Sequence, residues 1–228
     1  MQGTLTGNIN MTSNKTGTAN KYGKRVSSLT LARLGQYLHF LDSIDDVGAF
    51  NISSKTIGEA LDIKPTQVRK DLSFFGEFGQ KSKGYDIFDL KKVLKEILGL
   101  NQTYKAAIVG AGNLGSALLN FKSLTQYGFK IVAVFDNDKN KIGMVHYGHK
   151  IYDISSFKEI VTDNRIEIGI ITTPAEAAQG VAELMCESAI GGIINFTTKK
   201  IKVPPFIRLQ EVDLTLEFFA ISHHLNLK

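Results

Sequence analysis

Six residues, Gly110-Ala111-Gly112-Asn113-Leu114-Gly115, carry the spacing G-x-G-x-x-G. The chemistry that uses this spacing is the cradling of a pyrophosphate by main chain. Gly110 permits a tight turn, Gly112 presents backbone with no Cβ in the way, and Gly115 lets a helix lie close to a sheet. The N-terminus of that helix would turn free N–H groups and a positive dipole end toward the phosphates. Alone the string means little. Here it follows the apolar run Lys105-Ala106-Ala107-Ile108-Val109 and opens a segment with Leu118, Leu119 and Phe121. It precedes a second run, Lys130-Ile131-Val132-Ala133-Val134-Phe135-Asp136. Asp136 stands 21 residues past Gly115, where a carboxylate accepts the hydroxyls of an adenosine ribose and repels a 2′-phosphate. Asn137 follows it, not arginine. The expected cofactor is therefore NAD(H) rather than NADP(H). Thr172-Thr173-Pro174 and Asn195-Phe196 end two later apolar runs and fall on the same carboxyl edge, where ligands of such sheets lie.

A second set of residues is basic and polar. Residues 54–61 and 66–75, joined by four residues, have the dimensions of a helix-turn-helix. Ser53 or Ser54 suits the N-cap of the first helix, and Pro65 suits the first turn of the second. In the second helix Val68 and Leu72 are four apart and face a core. Thr66, Gln67, Arg69, Lys70 and Ser73 are left on the exposed face as donors for phosphates and base edges. Lys81-Ser82-Lys83-Gly84-Tyr85 follows as a basic turn in the position of a wing, which adds Lys81, Lys83 and Tyr85 to the candidate DNA contacts.

Other reactive side chains point nowhere definite. His146, His149 and the pair His223-His224 have no catalytic spacing. The single cysteine, Cys186, excludes a disulfide framework, and no zinc spacing occurs. The rival reading is a small NAD-dependent oxidoreductase. It would need an acid–base residue beside the nicotinamide and room for a substrate domain. The segment after Asp136 is used up in completing a sheet and adding one helix. The basic helix-turn-helix would also go unexplained, so an enzyme is not expected.

The elements that must position these groups change character near residue 100. Before it the pattern is helical: Leu31, Leu34, Leu38 and Leu41 recur at helical spacing, Tyr85 to Phe88 reads as a short strand, and Leu90 to Leu98 as a helix ended by Gly99. After it strand and helix alternate. Strands are expected at 105–109, 130–136, 166–172 and 193–196, with helices from the glycine turn to about Leu124 and from Glu176 to Ser188. Leu214, Phe218, Ile221 and Leu225 fall on one face of a C-terminal helix. Such alternation implies a parallel sheet covered on both faces. The expected fold is thus α/β: a winged helix-turn-helix unit over 26–100, a Rossmann-type parallel sheet over 101–213, and a C-terminal helix over 214–228. Residues 1–25, rich in Asn, Thr, Gly, Ser and Lys, bury too little to offset their ordering and read as a disordered tail.

Composition agrees with a soluble cytoplasmic protein. The 228 residues carry 27 Lys and Arg against 22 Asp and Glu, net +5. The excess is local: residues 1–100 hold 14 basic and 10 acidic side chains, the remainder 13 and 12. No apolar run approaches the ~20 residues of a membrane helix, and the N-terminus lacks the features of a signal peptide.

The two halves together resemble the Rex family, the bacterial redox-sensing transcriptional repressors. The likeness runs from about residue 26 to 228. It rests on Gln67-Val68-Arg69-Lys70-Asp71-Leu72-Ser73, Phe75-Gly76-Glu77-Phe78-Gly79, Gly84-Tyr85, Ile97-Leu98-Gly99-Leu100, the glycine fingerprint with Val109, Pro174-Ala175-Glu176-Ala177-Ala178-Gln179 and Asn195-Phe196. The resemblance implies a homodimer that exchanges its C-terminal helix, binds a palindromic double-stranded operator and is released by NADH. It also implies a polar switch at the positions of His39, Phe121 and Asp213. Asp213 is kept, but His39 stands where the family commonly has Arg and Phe121 where it has Tyr.

Overall fold

The structure, a computed structural model, describes residues 26–44, 51–76 and 84–226. The expected tail, residues 1–25, and the wing lysines Lys81 and Lys83 lie outside the described residues. The chain divides into two compact units at Asn101–Gln102.

The first unit begins with α1 (Ser28–Ser43), capped by the Ser27 side chain, which accepts from the Thr30 N–H. Leu34, Tyr37, Leu38 and Leu41 line its buried stripe, while Leu31, at the N-terminal end of that stripe, stays exposed. A two-residue strand, β1 (Asn51–Ile52), leads into α2 (Ser54–Leu61). Ser53 is the cap of α2, its hydroxyl accepting from Thr56 N at 3.0 Å, which decides between the two serines. Helix α3 (Pro65–Ser73) starts on Pro65, whose missing N–H is no loss in a first turn. Ile57, Val68, Leu72, Leu90 and Leu94 are buried among the helices. The expected strand from Tyr85 to Phe88 is shorter: β2 (Tyr85–Asp86) ends where Asp86 caps α4 (Ile87–Ile97) by accepting from Asp89 N. Strands β1 and β2 pair antiparallel, Asn51 with Asp86 and Ile52 with Tyr85.

The second unit is built on seven strands: β3 (Tyr104–Val109), β4 (Phe129–Asp136), β5 (Val145–His146), β6 (His149–Asp153), β7 (Ile168–Ile171), β8 (Gly192–Asn195) and β9 (Arg208–Glu211). Their order is β5-β6-β4-β3-β7-β8-β9. All pairs are parallel except β5 with β6. The chain starts in the middle, builds outward through β4 and β6, then returns to β7 on the other side of β3. That reversal opens a crevice at the carboxyl ends of β3 and β7. The sheet is buried on both faces. Ala107, Val109 and Phe135 join Phe157, Val161, Ala182 and Met185 of α7 (Phe157–Asn164) and α8 (Ala178–Cys186) on one side. Ala106, Ile108 and Val134 pack with Leu118, Leu119 and Leu124 on the other.

The helix expected from the glycine turn to Leu124 is two helices, α5 (Asn113–Leu119) and α6 (Lys122–Gln126). At the break Asn120 and Phe121 donate to carbonyls three residues back, and Phe121 leaves the helical region at ψ 87°. The helix expected from Glu176 starts with a 3-10 turn over Ala175–Ala177 before α8. Last comes α9 (Thr215–Leu225), whose Leu216, Phe218, Phe219, Ile221 and Leu225 are all exposed. Among the described residues no helix is long and apolar enough to cross a membrane.

Candidate cofactor site and nucleic-acid interface

The glycine turn follows β3 and is held from both sides. Asp136, at the end of β4, accepts from Ala111 N at 2.8 Å. Thr172, just past β7, donates its hydroxyl to the carbonyl oxygens of Gly110 at 2.8 Å and Val109 at 3.2 Å. The three glycines do different work. Gly110 has φ +106°, and a Cβ there would stand 2.7 Å from the Thr172 carbonyl oxygen. At Gly115 a Cβ would collide with the Gly110 carbonyl oxygen. At Gly112 a Cβ would meet nothing within 4 Å. The first two close the turn against its own fold, and the third keeps open the space over it. The first N–H groups of α5 have no carbonyl within the helix to reach.

Asp136 is 8 % exposed, yet its carboxyl is held below the usual range. Burial pushes it up, but the Asp138 N–H, the Lys141 ammonium and the Ala111 N–H outweigh that. Lys141 Nζ lies 3.1 Å from Asp136 Oδ2, an ion pair the sequence reasoning missed. Thr173 Oγ1 is buried and has no hydrogen-bond partner, an arrangement that a polar ligand in the crevice would satisfy. Open space at Gly112, an orphaned Thr173 hydroxyl and a buried carboxylate at the end of β4 fit a dinucleotide. Pro174, Asn113 and Leu114 are exposed at the same edge.

Asn195 differs from expectation. It is completely buried: its amide donates to the Lys199 carbonyl at 2.9 Å, and its Oδ1 accepts from the Thr197 N–H and hydroxyl. Its side chain shapes the loop after β8 and is not turned to a ligand. Phe196 is half-buried against the α5 side of the sheet. Phe121 is exposed, and Asp213, two residues before α9, accepts from both the N–H and the hydroxyl of Thr215. His39 lies on α1, in the other unit.

In the first unit Thr66, Arg69, Lys70 and Ser73 are exposed on α3, with Ser73 donating to the Lys70 carbonyl. Arg69 donates to the Ser54 hydroxyl at 3.0 Å, and Tyr85 is half-buried. Burial pushes the Tyr85 phenol up, opposed by the charge of Arg69. Gln67 corrects the expected face: it is half-buried, and its amide donates to Asp71 at 2.7 Å. A buried carboxylate one turn away offers a stronger acceptor than water. In the sequence Asp71 stands only as one member of the string Gln67 to Ser73, with no role of its own. Its place four residues after Gln67, on the Val68–Leu72 side, was the available signal.

A nucleotide crevice in a Rossmann-type sheet, joined in one chain to a helix-turn-helix, defines a class of ligand-responsive DNA-binding regulators. Two family models match the chain: "CoA binding domain" over residues 101–199 and "Putative DNA-binding protein N-terminus" over 25–73. The redox-sensing transcriptional repressor Rex of Carboxydothermus hydrogenoformans is 38 % identical over 203 residues, 89 % of this chain and 98 % of that protein. Its namesake in Thermotoga petrophila is 40 % identical over 208 residues, 91 % and 97 %. Among solved structures, RSP in complex with beta-NAD+ and operator DNA aligns at TM-score 0.84 and 33 % identity, covering 89 % of this chain and 94 % of that one. RSP bound to beta-NADH aligns at 0.81 and 32 %, covering 89 % and 95 %. The chain belongs to the Rex family of redox-sensing transcriptional repressors. These relatives are regulators, and the oxidoreductase alternative gives way to them.

Proposed function

We propose that the chain is a cytoplasmic, homodimeric repressor that binds a palindromic operator and leaves it when NADH replaces NAD+. The observation that carries the reading is the pinned glycine turn with free space over Gly112, in a chain that also holds a helix-turn-helix. Gly110 to Gly115, Asp136 and Thr172 to Pro174 hold the dinucleotide, with backbone at Asn195 and the ring of Phe196 beside it. When bound, the nicotinamide supplies two redox forms that differ by a positive charge. An apolar pocket wall discriminates between them, because burying the charged ring is unfavourable. Phe196, Phe121 and Leu214 are the wall residues. Coenzyme A, named in one matched family description, is disfavoured by Asp136, whose carboxylate would repel a phosphate on the adenosine ribose.

DNA contacts come from Thr66, Arg69, Lys70 and Ser73 on α3, from Ser53 and Ser54 at the start of α2, and from Lys81, Lys83 and Tyr85 of the wing. The exposed apolar side chains of α9 supply the surface through which two copies pair. The test is a gel shift on a palindromic promoter fragment, titrated separately with NADH, NAD+ and coenzyme A. NADH alone should release the DNA. Equal operator affinity with NADH, with NAD+ and with neither overturns the sensor reading.

A further inference from the structure

We propose that Asp71 is a positioning residue for DNA recognition, fixing the register of α3 so that sequence, rather than mere charge, is read. The inference rests on the DNA-binding reading above. Asp71 lies on the recognition helix but is 3 % exposed, so it faces away from any DNA. Four donors converge on its carboxylate. Oδ2 accepts from Arg33 Nε at 2.6 Å and Tyr37 Oη at 2.9 Å. Oδ1 accepts from Arg33 Nη2 and Gln67 Nε2, each at 2.7 Å. Arg33 and Tyr37 sit one turn apart on α1, and Gln67 sits one turn before Asp71 on α3. The carboxylate therefore clamps α3 to α1 by a two-pronged guanidinium fork with a phenol beside it.

The rest of α3's buried face is Val68 and Leu72. Apolar contacts are non-directional and let a helix roll or slide. A roll of ~20° carries a side-chain tip ~8 Å from the axis through about 3 Å. A base-edge hydrogen bond does not survive that displacement, whereas a flexible lysine on a phosphate does. The fork forbids the roll because both of its bonds have fixed geometry. Buried ion pairs often add little net stability, and fixing register is their best-attested use. The same carboxylate draws the Gln67 amide inward, leaving Arg69, with its hydrogen bond to Ser54, as the ordered base reader on that part of the helix.

The experiment uses full-length protein and two duplexes of equal length. One carries a palindrome selected on the wild type from a random pool, and the other is of random sequence. Affinities are measured at one salt concentration beside a melting curve. In Asp71→Asn the palindrome-to-random affinity ratio should fall about tenfold or more. Arg33→Lys, which keeps the charge but loses the fork, should lower it comparably. Tyr37→Phe, which removes one hydrogen bond and leaves the ring, should lower it about threefold. The two milder variants decide the matter if Asp71→Asn does not fold. Folded variants that keep the wild-type ratio within about twofold overturn the proposal, since a purely stabilising role predicts that result. A wild type with no preference for any palindrome overturns the DNA reading itself, and the proposal with it.

Discussion

Arg69 reaches back from α3 to the hydroxyl of Ser54, 3.0 Å away at the first residue of α2. The hydroxyl accepts one guanidinium N–H and leaves the remaining donors free to point outward. Arg69→Ala should weaken operator binding by ~1–3 kcal/mol and relax the preference at one base pair. Ser54→Ala should cost about 1 kcal/mol by letting Arg69 wander. The two losses should not add, because both act through one side chain. Binding titrations of the single and double variants check this.

Asp136 and Lys141 should control the choice of nucleotide in opposite directions. Asp136→Ala should weaken NADH and narrow the gap to NADPH, because the repelling carboxylate is gone. Lys141 shields that carboxylate from 3.1 Å. Lys141→Ala should therefore widen the gap, by about tenfold for a charge-assisted contact. Calorimetry with both nucleotides decides; identical gaps in wild type and Lys141→Ala would remove the lysine from the argument.

The glycines should separate binding from stability. Gly112→Val projects into open space, so melting should hold while NADH binding is lost. Gly115→Ala meets the Gly110 carbonyl oxygen and should cost ~1–3 kcal/mol of stability before any nucleotide is added.

Acid should loosen the first unit through Asp71. Burial alone would raise its carboxyl, but hydrogen bonds from Arg33, Tyr37 and Gln67 hold it below the ordinary 3.8. A folded-state value depressed in this way gives stability that is complete above the unfolded value and is lost as pH falls through the folded one. Melting temperature should fall steeply below about pH 4. In Asp71→Asn that slope should shrink, while stability at neutral pH drops by ~3–5 kcal/mol. A pH series of melts of the two proteins tests both parts.

Coupling between nucleotide and DNA should be weaker than the usual ~1–3 kcal/mol. In the polar switch that the resemblance implies, Phe121 brings no hydroxyl and His39 no guanidinium, and Asp213 already holds Thr215. Phe121→Tyr combined with His39→Arg should enlarge the NADH effect on operator affinity, and DNA should weaken NADH by the same factor. Paired titrations, each ligand against the other, provide the check.

The sheet and the glycine turn were legible because their signals are local and periodic. Apolar runs such as Ile131 to Phe135 mark strands buried on both faces. What stayed hidden was tertiary. Nothing in the string Gln67 to Ser73 says that Asp71 will meet Arg33, 38 residues earlier. Lys141 reaches Asp136 only because the chain turns back on itself at 138–141. Helix α7 carries Phe157, Ile160 and Val161 at helical spacing, a signal that the sequence expectations passed over, whereas β9 has the sequence Arg-Leu-Gln-Glu and is a strand only because Gly192–Asn195 pairs with it. The break at Asn120 and Phe121 depends on turns that propensity does not resolve.

Thr172 ties two crossings of the sheet together. Its hydroxyl joins the loop after β7 to the main chain at Val109 and Gly110, so the phosphate turn is held by the chain's own hydrogen bonds. A receptor cast in its final form has little backbone to order on capture. Its association rate is then set by diffusion and encounter geometry instead of by loop closure. For a gauge of a metabolite pool, the consequence is promptness: occupancy relaxes at the sum of the encounter and release rates, with no loop closure to wait for.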